Sequence, residues 1–218
     1  MILIAPADQG YEKALKAVEA SLNKLNLGYI DLYLIHWPGT AKLDPSDPKN
    51  FSNRRESWRA LEECVRSGKI KSIGVSNYSL RHLKEMEEYA GIKPAVHQFE
   101  IHPAHIERDV IEYCEDAGIL VQAYASLAEG ALLDPAFLNS HPEFVNLAQK
   151  YQCTLAQLLL KWPLQRGWGI IPKSVNPLRI KENISLDHFE ISSDDMKILD
   201  TFDEQISFKK CWDSSSVI

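Results

Sequence analysis

The chain has 218 residues, 45% hydrophobic and 25% charged, enough for one large domain with a real core. A net charge of −6 disfavours nucleic acid or an anionic membrane surface as the main partner. No apolar run approaches the ~20 residues of a membrane span, and Met1–Ala5 lacks the basic flank and cleavage pattern of a signal peptide, so a soluble cytoplasmic protein is expected.

Residues 1–4 are apolar and strand-like, and 6–10 form a turn. Tyr11 to Leu25 places Ala14, Leu15, Val18, Leu22 and Leu25 on one face at helical spacing, with Gly28 as the expected cap. Tyr29 to Trp37 is a buried strand, closed by Pro38, which cannot donate a ladder hydrogen bond. Gly39 to Ser52 is expected as a long polar loop of the kind that serves binding. Ser52 or Asn53 then caps a helix with Trp58, Leu61 and Val65 in its stripe, stopped by Gly68. Lys69–Ser76 is a strand, Ser79 caps a helix through Tyr89, and Ala95–Ile101 is a strand. A helix over 107–117 and a strand over 119–125 follow. Leu127 to Pro142 is expected as a second long loop. Helices follow at Glu143–Tyr151 and Thr154–Gln165, then a short strand at Gly169–Ile171. Asn176 with Pro177 opens a helix to Ile184, and Ser192 or Ser193 caps a last helix through Phe202. The tail, 203–218, has no clear period.

Strand and helix therefore alternate, and the strands are continuous apolar runs. That pattern indicates an α/β protein whose parallel sheet is covered by helices. Five units start near residues 29, 69, 95, 119 and 169, with no composition break for a second domain. No glycine-rich GxGxxG follows the first strand, which favours a β/α barrel over a doubly wound dinucleotide fold. Barrel sites sit where strands end. Here those ends carry His36-Trp37, Ser76-Asn77, Gln98 to His102, Tyr124-Ala125 and Lys173-Ser174.

Each has a chemical reading and a plain one. His36 can hydrogen-bond a carbonyl oxygen or move a proton, or be a half-buried strand-end histidine. Trp37 walls a substrate pocket or packs in the core. Ser76, Asn77 and Gln98 suit a neutral planar group such as a carboxamide, although Ser76 could cap the following helix. Tyr124 stacks on a flat heterocycle or packs in the core. Lys173, Ser174 and Arg179, with free N–H groups at a helix N-terminus, make an anion site that suits phosphate, or a solvated basic face. Glu100, His102 and His105 do not make a metal site, because Pro103 breaks any helix that would align them and no further ligand completes the set. Cys64, Cys114, Cys153 and Cys211 show no CxxC spacing and are expected as reduced thiols, three of them inside helical patterns.

At these residues the chain resembles the aldo-keto reductase family. Asp31–Pro38 is similar to its DLYLIHWP strand. Leu61 through Lys71-Ser72-Ile73-Gly74-Val75-Ser76-Asn77-Tyr78 fits a second signature, and Ile171-Pro172-Lys173-Ser174 with Arg179 and Glu182-Asn183 a third. The resemblance implies a (β/α)8 TIM barrel and NADPH-dependent reduction of aldehydes or ketones to alcohols. It implies that Ser76, Asn77 and Gln98 hold the nicotinamide carboxamide and that Tyr124 stacks on the ring. Lys173, Ser174, Val175 and Arg179 would take the 2′-phosphate, favouring NADPH/NADP+, and Glu182 and Asn183 would meet the adenine. His36 would be the catalytic group, orienting a small-molecule carbonyl substrate beside Trp37.

Ala125 and Ser126 depart from the family's Ser and Pro, which removes one polar cofactor contact. The chain is also expected to be incomplete at its N-terminus, a truncated or alternative-start form within one domain over 1–218. It has about five to six units and lacks the first two strands, with the catalytic Asp and Tyr. Leu3 stands where the catalytic Lys would be. Carbonyl reduction is then expected to be very poor, and open barrel edges are expected to support self-association. The alternative is a non-catalytic NADPH-binding or partner-binding protein of the same fold.

Overall fold

A computed structural model describes residues 1–218. The chain divides into two compact units. Unit 1 is Met1–Phe99, Asp109–Val121 and Asp213–Ile218; unit 2 is Glu100–Arg108 and Gln122–Trp212.

Unit 1 carries β1 (Ile2–Ile4), α1 (Tyr11–Leu25), β2 (Ile30–Ile35), α2 (Lys49–Arg66), β3 (Ile70–Ser76), α3 (Leu80–Met86), β4 (Val96–Glu100) and most of α4 (Arg108–Asp116). The apolar scrap at the start is thus a true strand. Its register against β2 sets Leu3 opposite Leu34, and β2 in turn sets Leu34 opposite Gly74, all parallel. β3 and β4 pair at Val75–His97 and Ser76–Gln98. The glycine at 74 has a packing reason: a Cβ there would lie 2.3 Å from the Val96 carbonyl oxygen and 2.7 Å from Leu34 Cδ2.

The stripe of α1 buries Ala14, Val18 and Leu22. Its stop is Asn26, not Gly28: Asn26 is left-handed at φ 52°, and its N–H reaches the carbonyls of Leu22 and Asn23. Asn is the residue that tolerates this conformation best after glycine. The loop after β2 is shorter than expected, because α2 begins at Lys49. Asp47 Oδ1 accepts from Lys49 N at 2.9 Å, while Ser52 and Asn53 lie inside the helix. Trp58, Ala60, Leu61 and Cys64 of α2 are buried. Ser79 opens α3 as expected, through a bond from its N–H to His82 Nδ1 at 3.1 Å, but α3 ends at Met86, short of Tyr89.

Unit 2 carries the end of β5 (Leu120–Tyr124), α5 (Pro135–Ser140), α6 (Pro142–Lys150), α7 (Leu155–Gln165), β6 (Gly169–Ile170), α8 (Pro177–Ile184) and α9 (Ser193–Asp200). β5 and β6 are parallel, Gln122 opposite Gly169 and Ala123 opposite Ile170. The second expected loop is largely helical, with a 3-10 turn at Ala128–Leu133 and then α5. Asp134 starts α5 by accepting from Ala136 N at 2.8 Å. Phe137 anchors α5 edge-on to Phe144 and Phe202. Thr154 and Gln157 form a reciprocal cap on α7. Cys153 sits in the turn before that helix, and all four cysteines are free. No helix is long and apolar enough to cross a membrane.

Candidate active site and cofactor cradle

In unit 1 the expected residues gather at the carboxyl ends of three adjacent strands. β2 delivers His36 and Trp37, β3 Ser76 and Asn77, and β4 Gln98. Ser76 and Gln98 are 1% and 4% exposed, so they are buried polar groups at strand ends. Asn77 links the three strands. Its N–H donates to Gln98 O at 2.9 Å, and its Nδ2 donates to His36 O at 2.9 Å and Ser76 Oγ at 3.1 Å. It does so from a left-handed backbone at φ 61°. Capping of α3 falls to Ser79, so Ser76 is not the cap. Gln98 Nε2 also donates to the thioether of Met1 at 3.2 Å, a weak acceptor.

His36 is exposed and Trp37 half-buried. Packing along one flank desolvates the His36 ring and lowers its pKa below the ordinary 6.5. Sequence reasoning missed the group beneath them. Gln9 is 2% exposed, and its Nε2 donates to Trp37 O at 2.6 Å and Gly39 O at 2.8 Å. A polar residue in a turn carries no sequence signal of such a contact.

Unit 2 holds the remaining residues. Tyr124 ends β5, and burial raises its phenol well above the ordinary range, with Cys211 and Glu100 adding to the effect. The ring is therefore neutral. Lys173, Val175 and Arg179 are exposed, and Ser174, Glu182 and Asn183 half-buried. Lys173, Ser174 and Asn183 line a groove of about 700 Å³ whose walls include Leu164, Ile170 and Ile184.

One part of the expected anion site is corrected. The N–H groups opening α8 are not free, because Asn176 Oδ1 accepts from Leu178 N at 2.9 Å and Arg179 N at 3.4 Å. Ser174 Oγ accepts from Asn176 N at 3.1 Å. An anion would meet the side chains of Lys173, Ser174 and Arg179 rather than a helix terminus. Glu182 is turned toward the Thr154 hydroxyl, which donates to its carboxylate.

The sequence profile of the aldo/keto reductase family matches residues 4–204. The chain belongs to that family. It is 44% identical over 200 residues to the uncharacterized oxidoreductase YtbE of Bacillus subtilis, covering 92% of this chain and 65% of that protein. Against the glyoxal reductase of the same bacterium it is 42% identical over 197 residues, with coverage of 90% and 65%. The chain thus spans 65% of the length of these two relatives. The crystal structure of a Gox0644 mutant in complex with NADPH superposes with a TM-score of 0.81 at 35% identity, covering 92% of this chain and 68% of that one. The expected fold class is therefore correct: the α/β architecture is that of the aldo/keto reductase barrel, of which this chain carries six strands.

Proposed function

We propose that this chain binds NADPH and holds a carbonyl compound against it, the reaction being reduction of an aldehyde or ketone to an alcohol. The observation that carries the reading is the cluster in unit 1. At the ends of β3 and β4 the Asn77 amide donates to the buried Ser76 hydroxyl and to the His36 carbonyl, and the Asn77 N–H to the Gln98 carbonyl, with buried Gln98 paired opposite Ser76. These groups offer donors and an acceptor to one flat carboxamide. Within unit 2, the groove has apolar walls that suit a purine, and Lys173 and Ser174 in its lining, with Arg179 on α8, suit a phosphate. A mutant of Gox0644, a solved relative, has been crystallised in complex with NADPH.

The cofactor, held by Ser76, Asn77 and Gln98, would supply hydride chemistry toward a carbonyl. The chain's own part is to orient and exclude. Tyr124 presents a neutral ring for stacking, and Trp37 walls the pocket. His36, neutral at pH 7, donates a hydrogen bond to the carbonyl oxygen and polarises it.

A specific observation favours binding with little turnover. The alkoxide left by hydride transfer needs a proton, and general acid catalysis is worth roughly 10²–10⁴-fold. His36 has its pKa pushed down, and Leu3, across from Leu34 in β1, offers no charge to activate another acid. The chain is then an NADPH-binding protein whose carbonyl reduction is slow.

Fluorescence titration with NADPH and NADH tests the reading. Lys173→Ala should weaken NADPH by about tenfold, the order of one charge-assisted hydrogen bond, and leave NADH unchanged. Equal weakening of both would remove the 2′-phosphate assignment, and no NADPH binding by the parent chain would end the proposal.

A further inference from the structure

The tail segment 208–211 forms no helix or strand, yet each residue is tied to the last residue of β4 or to the stretch after it. Phe208 N donates to Ala104 O at 3.0 Å, and its ring lies 5.3 Å from that of His102. Lys209 Nζ meets Glu107 at 2.8 Å. The next two N–H groups, of Lys210 and Cys211, reach the two oxygens of one carboxylate, Glu100, at 2.6 and 2.7 Å.

Glu100 is 1% exposed. Its third donor is His102 Nε2 at 2.9 Å. Burial alone would push this carboxyl up, but the bonds from His102, Lys210 and Cys211 outweigh it and hold it down at about 2. The charge is permanent, and two of its three donors come from the tail. Pairing two consecutive N–H groups with two oxygens also fixes the tail's register to the residue. In that register the Cys211 thiol lies beside both the Glu100 carboxylate and the Tyr124 hydroxyl, and interacts with each.

We propose that Glu100 is a positioning residue, a buried latch that holds the tail at 208–211 so that Cys211 fixes Tyr124 for the flat ring of the cofactor. This rests on the NADPH reading above. Glu100 touches neither cofactor nor substrate; it acts through the tail.

The test uses the 218-residue chain with Cys153→Ser, which removes the other half-buried thiol. In Glu100→Gln one oxygen becomes an NH₂ donor facing an N–H donor, so the latch opens. Trypsin cleavage after Lys209 and Lys210, and Ellman's-reagent modification of Cys211, should each accelerate about tenfold, the worth of one hydrogen bond to a charge. NADPH affinity should fall by about fivefold. Adding Cys211→Ala to Glu100→Gln should weaken it no further, because both act on one contact. If Glu100→Gln fails to fold, Lys210→Pro removes one donor from the exposed side and should accelerate Cys211 modification in the same way.

Unchanged cleavage and thiol reactivity would overturn the latch. An open latch with unchanged NADPH affinity, in a chain whose binding still depends on Lys173, would overturn the link to Tyr124. Absence of NADPH binding in the parent would instead sink the functional reading, with the cleavage and thiol rates still deciding the latch.

Discussion

Gly74→Ala is the most informative single substitution in the sheet. The new methyl would sit 2.3 Å from the Val96 carbonyl oxygen and 2.7 Å from Leu34 Cδ2. Ordinary contact starts at 3.4 Å, so something must retreat by about 1 Å. Leu34 can change rotamer, but the Val96 oxygen is backbone and cannot swing aside. β3 and β4 must part, at a cost of roughly 3 kcal/mol, the upper end for inserting one methylene into a packed core. For a chain of this length that corresponds to a fall in Tm of about 6–12 °C. The splay falls just upstream of the Ser76–Gln98 pair, so NADPH affinity should drop with stability. Gly28→Ala is the control: nothing lies within 4 Å of its Cβ position and its φ is unstrained, so it should be neutral or stabilise by ~0.5 kcal/mol. Differential scanning fluorimetry with and without NADPH reads both. A Gly74→Ala melt within about 2 °C of the parent would refute the claim that close strand approach, rather than turn chemistry, requires this glycine.

Two further substitutions probe unit 1 where the end of the tail docks. His82 accepts from Ser79 N through Nδ1 and donates from Nε2 to Val217 O at 2.8 Å, an arrangement available only to the neutral ring. Burial, aided by the nearby Arg54 and Arg81 charges, drops its pKa from 6.5 to about 4. A depressed folded-state pKa means this stability is full above pH 6.5 and is lost as pH falls toward 4. The loss attributable to His82 is ~3 kcal/mol, and urea titrations at pH 7 and 4.5 should show a smaller loss in His82→Gln; equal slopes would contradict the assignment. Arg54 is fully buried and bidentate to Glu85 at 2.7 and 2.6 Å. Arg54→Met should cost about 3 kcal/mol by stranding the Glu85 carboxylate, and Arg54→Met with Glu85→Leu should recover most of it; a double variant as unstable as the single would show that packing, not charge, dominates.

The alternating elements were legible because each strand is an apolar run between glycine, proline or cap residues. The strand-end positions of His36, Ser76, Asn77, Gln98 and Tyr124 follow from that alternation alone. Three things were not legible. Helix boundaries moved where a weaker signal won, as when Asn26 rather than Gly28 closed α1 and Asp47 rather than Ser52 met the start of α2. The stretch 127–142 looked irregular because its order comes from aromatic contacts with residues far along the chain, such as Phe137 with Phe202. The tail showed no period because backbone atoms anchor it to Glu100 and Arg54, and backbone bonds leave no trace in side-chain spacing.

Binding and turnover make different demands on these residues, and the structure meets them unequally. Holding a carboxamide, as proposed above, needs fixed donors and acceptors shielded from water, and Asn77 is fixed by its bonds to Ser76 Oγ and to the His36 and Gln98 carbonyls. Delivering a proton needs an acid poised near the working pH. The environment of His36 moves it the wrong way, since each increment of desolvation leaves less imidazolium at pH 7. A neutral imidazole can still donate its one N–H to a carbonyl oxygen, although more weakly than the imidazolium would. His36 is therefore suited to orient a carbonyl. In the reaction proposed above, fast turnover would need its proton from a group with a different pKa.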